Sequence, residues 1–142
     1  MTLVVDASVA CKWFIAESDS DAAEALLAGG QMLLAPELIV PEVCNVAWSK
    51  LRRGEIGVEQ ATEMVRALPD LLDELVPSVQ LARRALEIAS TLEHPAYDCF
   101  YLALAEQRGT RLVTDDRRLL ARLAVTPWKR LVARLGRAAA RG

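Results

Sequence analysis

Carboxylates at four places in this chain, the last of them an adjacent pair, stand where an ordinary surface acid would not. Asp6 closes the apolar run Thr2 to Val5. Glu42 lies among Ile39, Val40, Val43, Val46 and Ala47. Asp98 is the single charge in a stretch running from Tyr97 to Ala105. Asp115 and Asp116 follow Leu112-Val113-Thr114. A carboxylate removed from water is costly unless it is paired, hydrogen-bonded or bound to metal. Several of them converging repel one another until a cation binds. An all-oxygen donor set suits a hard cation, Mg²⁺ or Mn²⁺. Such a cation can activate water and steady the leaving oxygen of a phosphodiester.

Each acid also has a plain structural reading. Asp6 or Ser8 can cap a following helix. Glu42 can sit in the first turn of its helix, favoured by the helix dipole. Asp98 lies near a helix start, where free backbone amides help keep it ionised. One of Asp115 and Asp116 can be a solvated loop residue or a cap. Asn45 stands three residues after Glu42, on the same helical face. It places an amide beside that carboxylate, to orient a ligand or touch substrate. Thr114 offers a hydroxyl at the end of its strand.

The elements that must position these groups are legible from periodicity. Thr2 to Val5, Met32 to Ala35, Leu75-Val76 and Arg111 to Thr114 read as short buried strands. Between them lie helical patterns at Asp21 to Ala28, Leu38 to Arg53, Val58 to Leu72, Val79 to Leu92, Ala96 to Gln107 and Asp116 to Leu123. Pro41 marks either the start or a kink of the second of these, and Pro69 the end of the regular part of the third. Met64 and Leu68 belong to the apolar stripe of that third helix. His94-Pro95 breaks the chain, and His94 reads as a loop residue. Strands alternating with helices predict an α/β fold, a short parallel sheet flanked by helices in three layers. Ligands of such sheets bind beyond the carboxyl ends of the strands. Asp6 and one of Asp115 and Asp116 occupy two such ends.

Composition sets the bounds. The chain has 142 residues, 53% hydrophobic and 25% charged, enough for one domain with a real core. Residues 1 to 126 read as that domain and residues 127 to 142 as a basic tail. The tail holds Lys129, Arg130, Arg134, Arg137, Arg141 and no acid, which leaves the body net acidic. An acidic body repels RNA unless its carboxylates carry metal or basic side chains offset them. Lys12, Lys50, Arg52, Arg53, Arg117 and Arg118 are candidates for the latter. Cys11, Cys44 and Cys99 form no metal-binding spacing, and their apolar neighbours predict buried thiols in a reducing compartment. No segment is apolar for the ~20 residues that cross a bilayer, and the start lacks a signal-peptide pattern. The expectation is a cytoplasmic protein. Aromatic residues are only 5%, so no aromatic-rich platform for bases is visible.

Four segments, Val4-Val5-Asp6-Ala7-Ser8-Val9, Pro41-Glu42-Val43-Cys44-Asn45-Val46, Tyr97 to Glu106 and Leu112 to Leu120, resemble the PIN-domain pattern when taken together and in this order. The likeness is to VapC-type toxins of bacterial toxin–antitoxin pairs, and it runs from Met1 to about Leu120. It implies a PIN-like fold whose acids gather at one end of the sheet. It implies metal-centred, catalytic roles for Asp6, Glu42, Asp98 and Asp116, with Thr114 as the companion of Asp116. Ser8 and Asn45 match auxiliary polar positions, and Asp115 fills a variable one that can share the site. The implied activity is Mg²⁺- or Mn²⁺-dependent endonucleolytic hydrolysis of RNA, requiring no histidine. The implied partners are an RNA substrate, a cognate antitoxin protein and a second copy of the chain in a homodimer. The helices holding Trp48, Leu51, Met64 and Leu68 are one source of a greasy antitoxin surface, although core is the simpler reading of those residues.

Two competitors share the scaffold: a DNA-directed nuclease and a catalytically silent PIN-like binding module. All four acid positions being filled argues against decay. A phosphoacceptor receiver domain needs paired acids after the first strand and a lysine after the last. A haloacid-type phosphatase needs a second aspartate where Ser8 stands. Neither pattern is met.

Overall fold

The computed structural model describes residues 1 to 136. Five parallel strands form one sheet: β1 (Thr2–Val5), β2 (Met32–Pro36), β3 (Glu74–Val76), β4 (Leu112–Thr114) and β5 (Val132–Arg134). Their spatial order is β3-β2-β1-β4-β5. Helices fill every crossover: α1 (Ala7–Ala10) and α2 (Ser20–Ala28), then α3 (Ile39–Arg52) and α4 (Val58–Leu71), then α5 (Ala82–Leu92) and α6 (Ala96–Arg108), and finally α7 (Arg117–Leu123). This is the three-layer α/β architecture expected from the alternation of patterns.

β1 lies at the centre, and Val4 and Val5 are fully buried. A strand covered on both faces reads as a continuous apolar run rather than an alternating one. The chain first builds outward from β1 through β2 to β3, then returns to build β4 and β5 on the other side. The strand order therefore reverses between β1 and β4. In an open parallel sheet, that reversal opens a crevice at the carboxyl ends of the two strands. Val5 is registered opposite Val113, so the chain leaves both strands side by side.

α6 is the central helix. Leu102, Leu104 and Ala105 are fully buried, and so is Cys99. It ends where Gly109 takes φ +64°, the left-handed conformation that closes a helix and favours glycine. Pro41 sits in the first turn of α3, where its missing N–H is not needed. α3 thus starts before the proline and is not kinked by it.

Several expectations shift. α4 continues past Pro69 to Leu71. The helix expected from Val79 begins at Ala82, after a separate 3₁₀ turn at Ser78–Gln80 that leaves Val79 exposed. The boundary expected at residue 127 falls later. Pro127–Leu131 forms a 3₁₀ turn, β5 pairs with β4, and the Leu135 N–H donates to the Thr114 carbonyl at 2.9 Å. Leu131 and Leu135 join the core. Residues 127 to 135 are part of the domain, because two leucines anchor them between the basic positions. Arg137 and Arg141 of the expected tail lie outside the described residues. Cys44 is exposed on α3, unlike buried Cys11 and Cys99. No described helix is long and apolar enough to cross a membrane.

Candidate active site

Asp6 is the first residue beyond β1 and is only 8% exposed. Its Oδ1 accepts from the Ser8 hydroxyl at 2.6 Å and from the Val9 N–H at 3.3 Å, capping α1. Its Oδ2 accepts from the Thr114 hydroxyl, carried by fully buried Thr114 at the end of β4. Each hydroxyl has one proton, and both protons go to Asp6. The two hydroxyl oxygens then act as acceptors. Thr114 Oγ1 receives the Asp116 N–H at 3.0 Å, and Ser8 Oγ receives the Asp115 N–H at 2.9 Å. Asp116 Oδ1 in turn accepts the Leu119 N–H at 3.0 Å and caps α7. The ends of β1 and β4 are thus stitched together by side chains whose centre is the Asp6 carboxylate. Capping and membership of the cluster coexist in Asp6 and Asp116.

A second group stands on the helices. The Tyr101 hydroxyl of α6 donates to Glu42 Oε1 in the first turn of α3. Asp98, one turn before Tyr101, meets His94 Nε2 at 2.7 Å through its Oδ2. The two groups share a field. Burial pushes the Asp6 carboxyl from 3.8 up to about 6, the charge of Asp116 adding to it while the Ser8, Thr114 and Val9 donors pull back. Burial also raises Glu42; its bond from Tyr101 opposes the rise, and the charge of Asp98 adds to it. The Tyr101 phenol is pushed up first by burial, then by Glu42, Asp6 and Asp98 together. One buried hydroxyl therefore senses three of the four expected acids.

Asp115 behaves differently from its neighbour. Its Oδ2 lies 3.3 Å from Lys12 Nζ, and Lys12 is only 6% exposed. Lys12 also donates to the Ser18 carbonyl at 2.8 Å and to Glu17 at 3.3 Å. Lys12 is thus committed inside the protein and is not the free phosphate contact expected from its charge. Asp115 Oδ1 is buried without a hydrogen bond, with Arg117 Nε at 3.6 Å. Asn45 is exposed and lines a cleft together with Glu42.

All eight expected residues are therefore near the carboxyl end of the sheet or on the two helices that border it. Among the described residues, no three His, Cys, Asp or Glu side chains form a ready-made cage for a metal ion. The chemistry of the donors still fits a hard cation: carboxylate oxygens whose ionisation is opposed by burial and by one another, and one buried carboxylate oxygen, of Asp115, without a hydrogen bond. Hydroxyls and an imidazole hold those oxygens here.

Three contacts escape the sequence reading. His94 is a loop residue, as expected, but it lies one helical turn before Asp98 and pairs with it. Its spacing was visible; the loop's direction was not. Tyr101 reads as one more apolar position of α6, and its bond to a residue 59 positions away leaves no local signal. Lys12 reads as a candidate phosphate contact, and only the fold buries it.

The PIN domain family model matches residues 3–125. The chain belongs to the PIN domain family. Within that family, Ribonuclease VapC3 of Pyrobaculum aerophilum is 34% identical over 131 residues, covering 89% of this chain and 100% of that protein. Ribonuclease VapC1 of Mycobacterium tuberculosis is 36% identical over 89 residues, covering 61% of this chain and 65% of that one. Among solved structures, PAE2754 from Pyrobaculum aerophilum superposes with a TM-score of 0.70 at 23% identity, covering 99% and 88% of the two chains. VapBC2 from Rickettsia felis, bound to a DNA fragment from its promoter, gives 0.67 at 12% identity over 94% and 98%. At those identities the superpositions speak for the fold. This PIN domain is of the VapC type, as the four motifs imply.

Proposed function

We propose that this chain is a divalent-metal-dependent endoribonuclease and the toxin of a toxin–antitoxin pair. The observation that carries the reading is the placement of Asp6 and Asp116 at the ends of β1 and β4, tied through Thr114, at the crevice where the strand order reverses. A full-length relative named as a ribonuclease supports it.

Asp6, Glu42, Asp98 and Asp116 would hold Mg²⁺ or Mn²⁺, which supplies Lewis acidity to the attacking water and to the departing 3′ oxygen. The protein's own contribution is preorganisation. Ser8 and Thr114 fix both oxygens of Asp6. Tyr101 fixes one oxygen of Glu42. Lys12 holds Asp115, and with it the turn from β4 into α7. Burial withholds water from Asp6, and partly from Glu42, and strengthens their charge interactions. His94 holds Asp98 and is not needed as a general base in this scheme.

RNA is the substrate in this reading. An antitoxin protein and a second copy of the chain are its protein partners. The relatives' names and the VapBC neighbour support the antitoxin. Exposed Trp48, with Arg52 stacked over its ring at 5.1 Å, marks one face on which a partner can settle. Met64 and Leu68 are wholly core.

The test is cleavage of labelled RNA and matched DNA by partner-free protein in Mg²⁺, Mn²⁺ or EDTA, with Asp98→Asn in parallel. RNA cleavage that requires metal and is lost in Asp98→Asn is the expected result. Cleavage that survives EDTA or Asp98→Asn sinks the mechanism. The absence of a preformed three-ligand cage among the described residues is a feature that a silent binding module would share. Calorimetric titration of Mn²⁺ into both proteins separates the two: the silent module takes up no metal.

A further inference from the structure

Beside the carboxylates lies a cleft of about 530 Å³ whose walls are mostly apolar. Leu38 precedes α3, Pro41 lies in its first turn and Val46 near its middle; Ala7 comes from the start of α1 and Tyr97 from the first turn of α6. Asn45 and Glu42 supply the polar groups. Ala7 and Tyr97 are the chain neighbours of Asp6 and Asp98, and Glu42 belongs to both the cleft and the acid cluster. The cleft is therefore continuous with the site. Tyr97 is 65% exposed although it belongs to the central helix of the fold.

We infer that this cleft is a nucleobase subsite, in which Tyr97 stacks on one base flanking the cut and Asn45 meets that base's edge. The inference rests on the RNA-cleaving reading above and adds to it the group that seats the strand. Charge selects the occupant. A phosphate placed here would be repelled by the Glu42 carboxylate, whereas an uncharged base would not. The apolar walls suit a flat ring, and Tyr97 offers a π-face at its mouth. Every base has a π-face, so stacking grips without choosing. The Asn45 amide both donates and accepts, and so can favour one base edge over another. The low aromatic content does not count against this, because one well-placed ring is enough for one base.

The experiment measures binding of a labelled single-stranded RNA by fluorescence anisotropy in Ca²⁺, alongside cleavage of the same RNA in Mn²⁺. The proteins are the full chain, Tyr97→Ala, Tyr97→Phe and Asn45→Ala. Each oligonucleotide is made intact or with one abasic position near the cut. Loss of one base–aromatic stack corresponds to about 5- to 150-fold in affinity. Tyr97→Ala is expected to lose that factor and Tyr97→Phe to retain binding. One abasic position is expected to cost the wild type the same factor and Tyr97→Ala nothing further. Asn45→Ala is expected to narrow the difference between bases at that position. Unchanged affinity in Tyr97→Ala overturns the subsite, and so does equal loss in Tyr97→Phe. Failure of the wild-type chain to bind the intact RNA overturns it as well. A Tyr97→Ala defect confined to binding of an antitoxin peptide would assign the cleft to protein instead. The two readings fail separately: cleavage with a neutral Tyr97→Ala removes the subsite alone, and Tyr97-dependent binding without metal-dependent cleavage removes the nuclease alone.

Discussion

Asp6→Asn should make the metal-free protein more stable while abolishing its activity. Moving a buried carboxyl from 3.8 to about 6 is worth about 3 kcal/mol at 1.36 kcal/mol per pH unit. The sign follows from proton counting. Between those two values the folded chain keeps the Asp6 proton and the unfolded chain has lost it, so stability falls as pH rises through this window. Above pH ~6 the native state carries the whole cost of an ionised, buried carboxylate. Asparagine has no charge to desolvate. Its Oδ1 can still accept from Ser8 and Val9, but its amide faces the Thr114 hydroxyl, which must then accept rather than donate. The net gain should be about 1–3 kcal/mol, or roughly 4–12 °C in Tm for a chain of this size. Thermal melts in EDTA at pH 7.5 measure it. Repeating them at pH 4.5 should shrink the gap, because wild-type Asp6 is then largely protonated in the folded state. Saturating Mg²⁺ should close or reverse the gap, since a ligand at 100 times its Kd adds about 2.7 kcal/mol to the protein that binds it. A variant that melts at or below the wild type in EDTA at pH 7.5 would refute the claim that this carboxylate is held at a cost.

Tyr101→Phe removes the donor to Glu42 without opening a cavity; it should leave the fold within about 1–3 kcal/mol of wild type and lower kcat about tenfold with KM unchanged, as read from RNA cleavage kinetics. Lys12→Met should cost about 3–5 kcal/mol by denaturant unfolding, because Asp115 is left largely buried with only the exposed Arg117, 3.6 Å from its other oxygen, to offset its charge; adding Asp115→Asn should recover a substantial part, and simple additivity would show that the pair does not interact. Leu131→Ala should cost about 2–5 kcal/mol by the same measurement, whereas a segment lying outside the domain would tolerate it.

The sequence by itself determined the fold class and nominated the acids of the candidate site. Short apolar runs separated by amphipathic stretches leave few alternatives to a parallel sheet with helices on its faces. A charge inside an apolar run is a local signal, because burial is costly without compensation, and it marked Asp6, Glu42 and Asp98 directly. Glycine positions located the ends of α2, α3 and α6. What the sequence could not settle was which groups face one another. Tyr101 and Glu42, or Thr114 and Asp6, meet because β1 lies beside β4 and α3 beside α6, and those adjacencies come from strand order. Lys12 and Asp115 illustrate the same limit: each reads as solvated, and only packing buries them together. β5 was hidden for another reason. Three residues at a sheet edge, with both faces partly open, carry too little periodicity to stand out against lysines and arginines. Pairing with β4 and the burial of Leu131 and Leu135 make it a strand, and neither is a property of the segment alone.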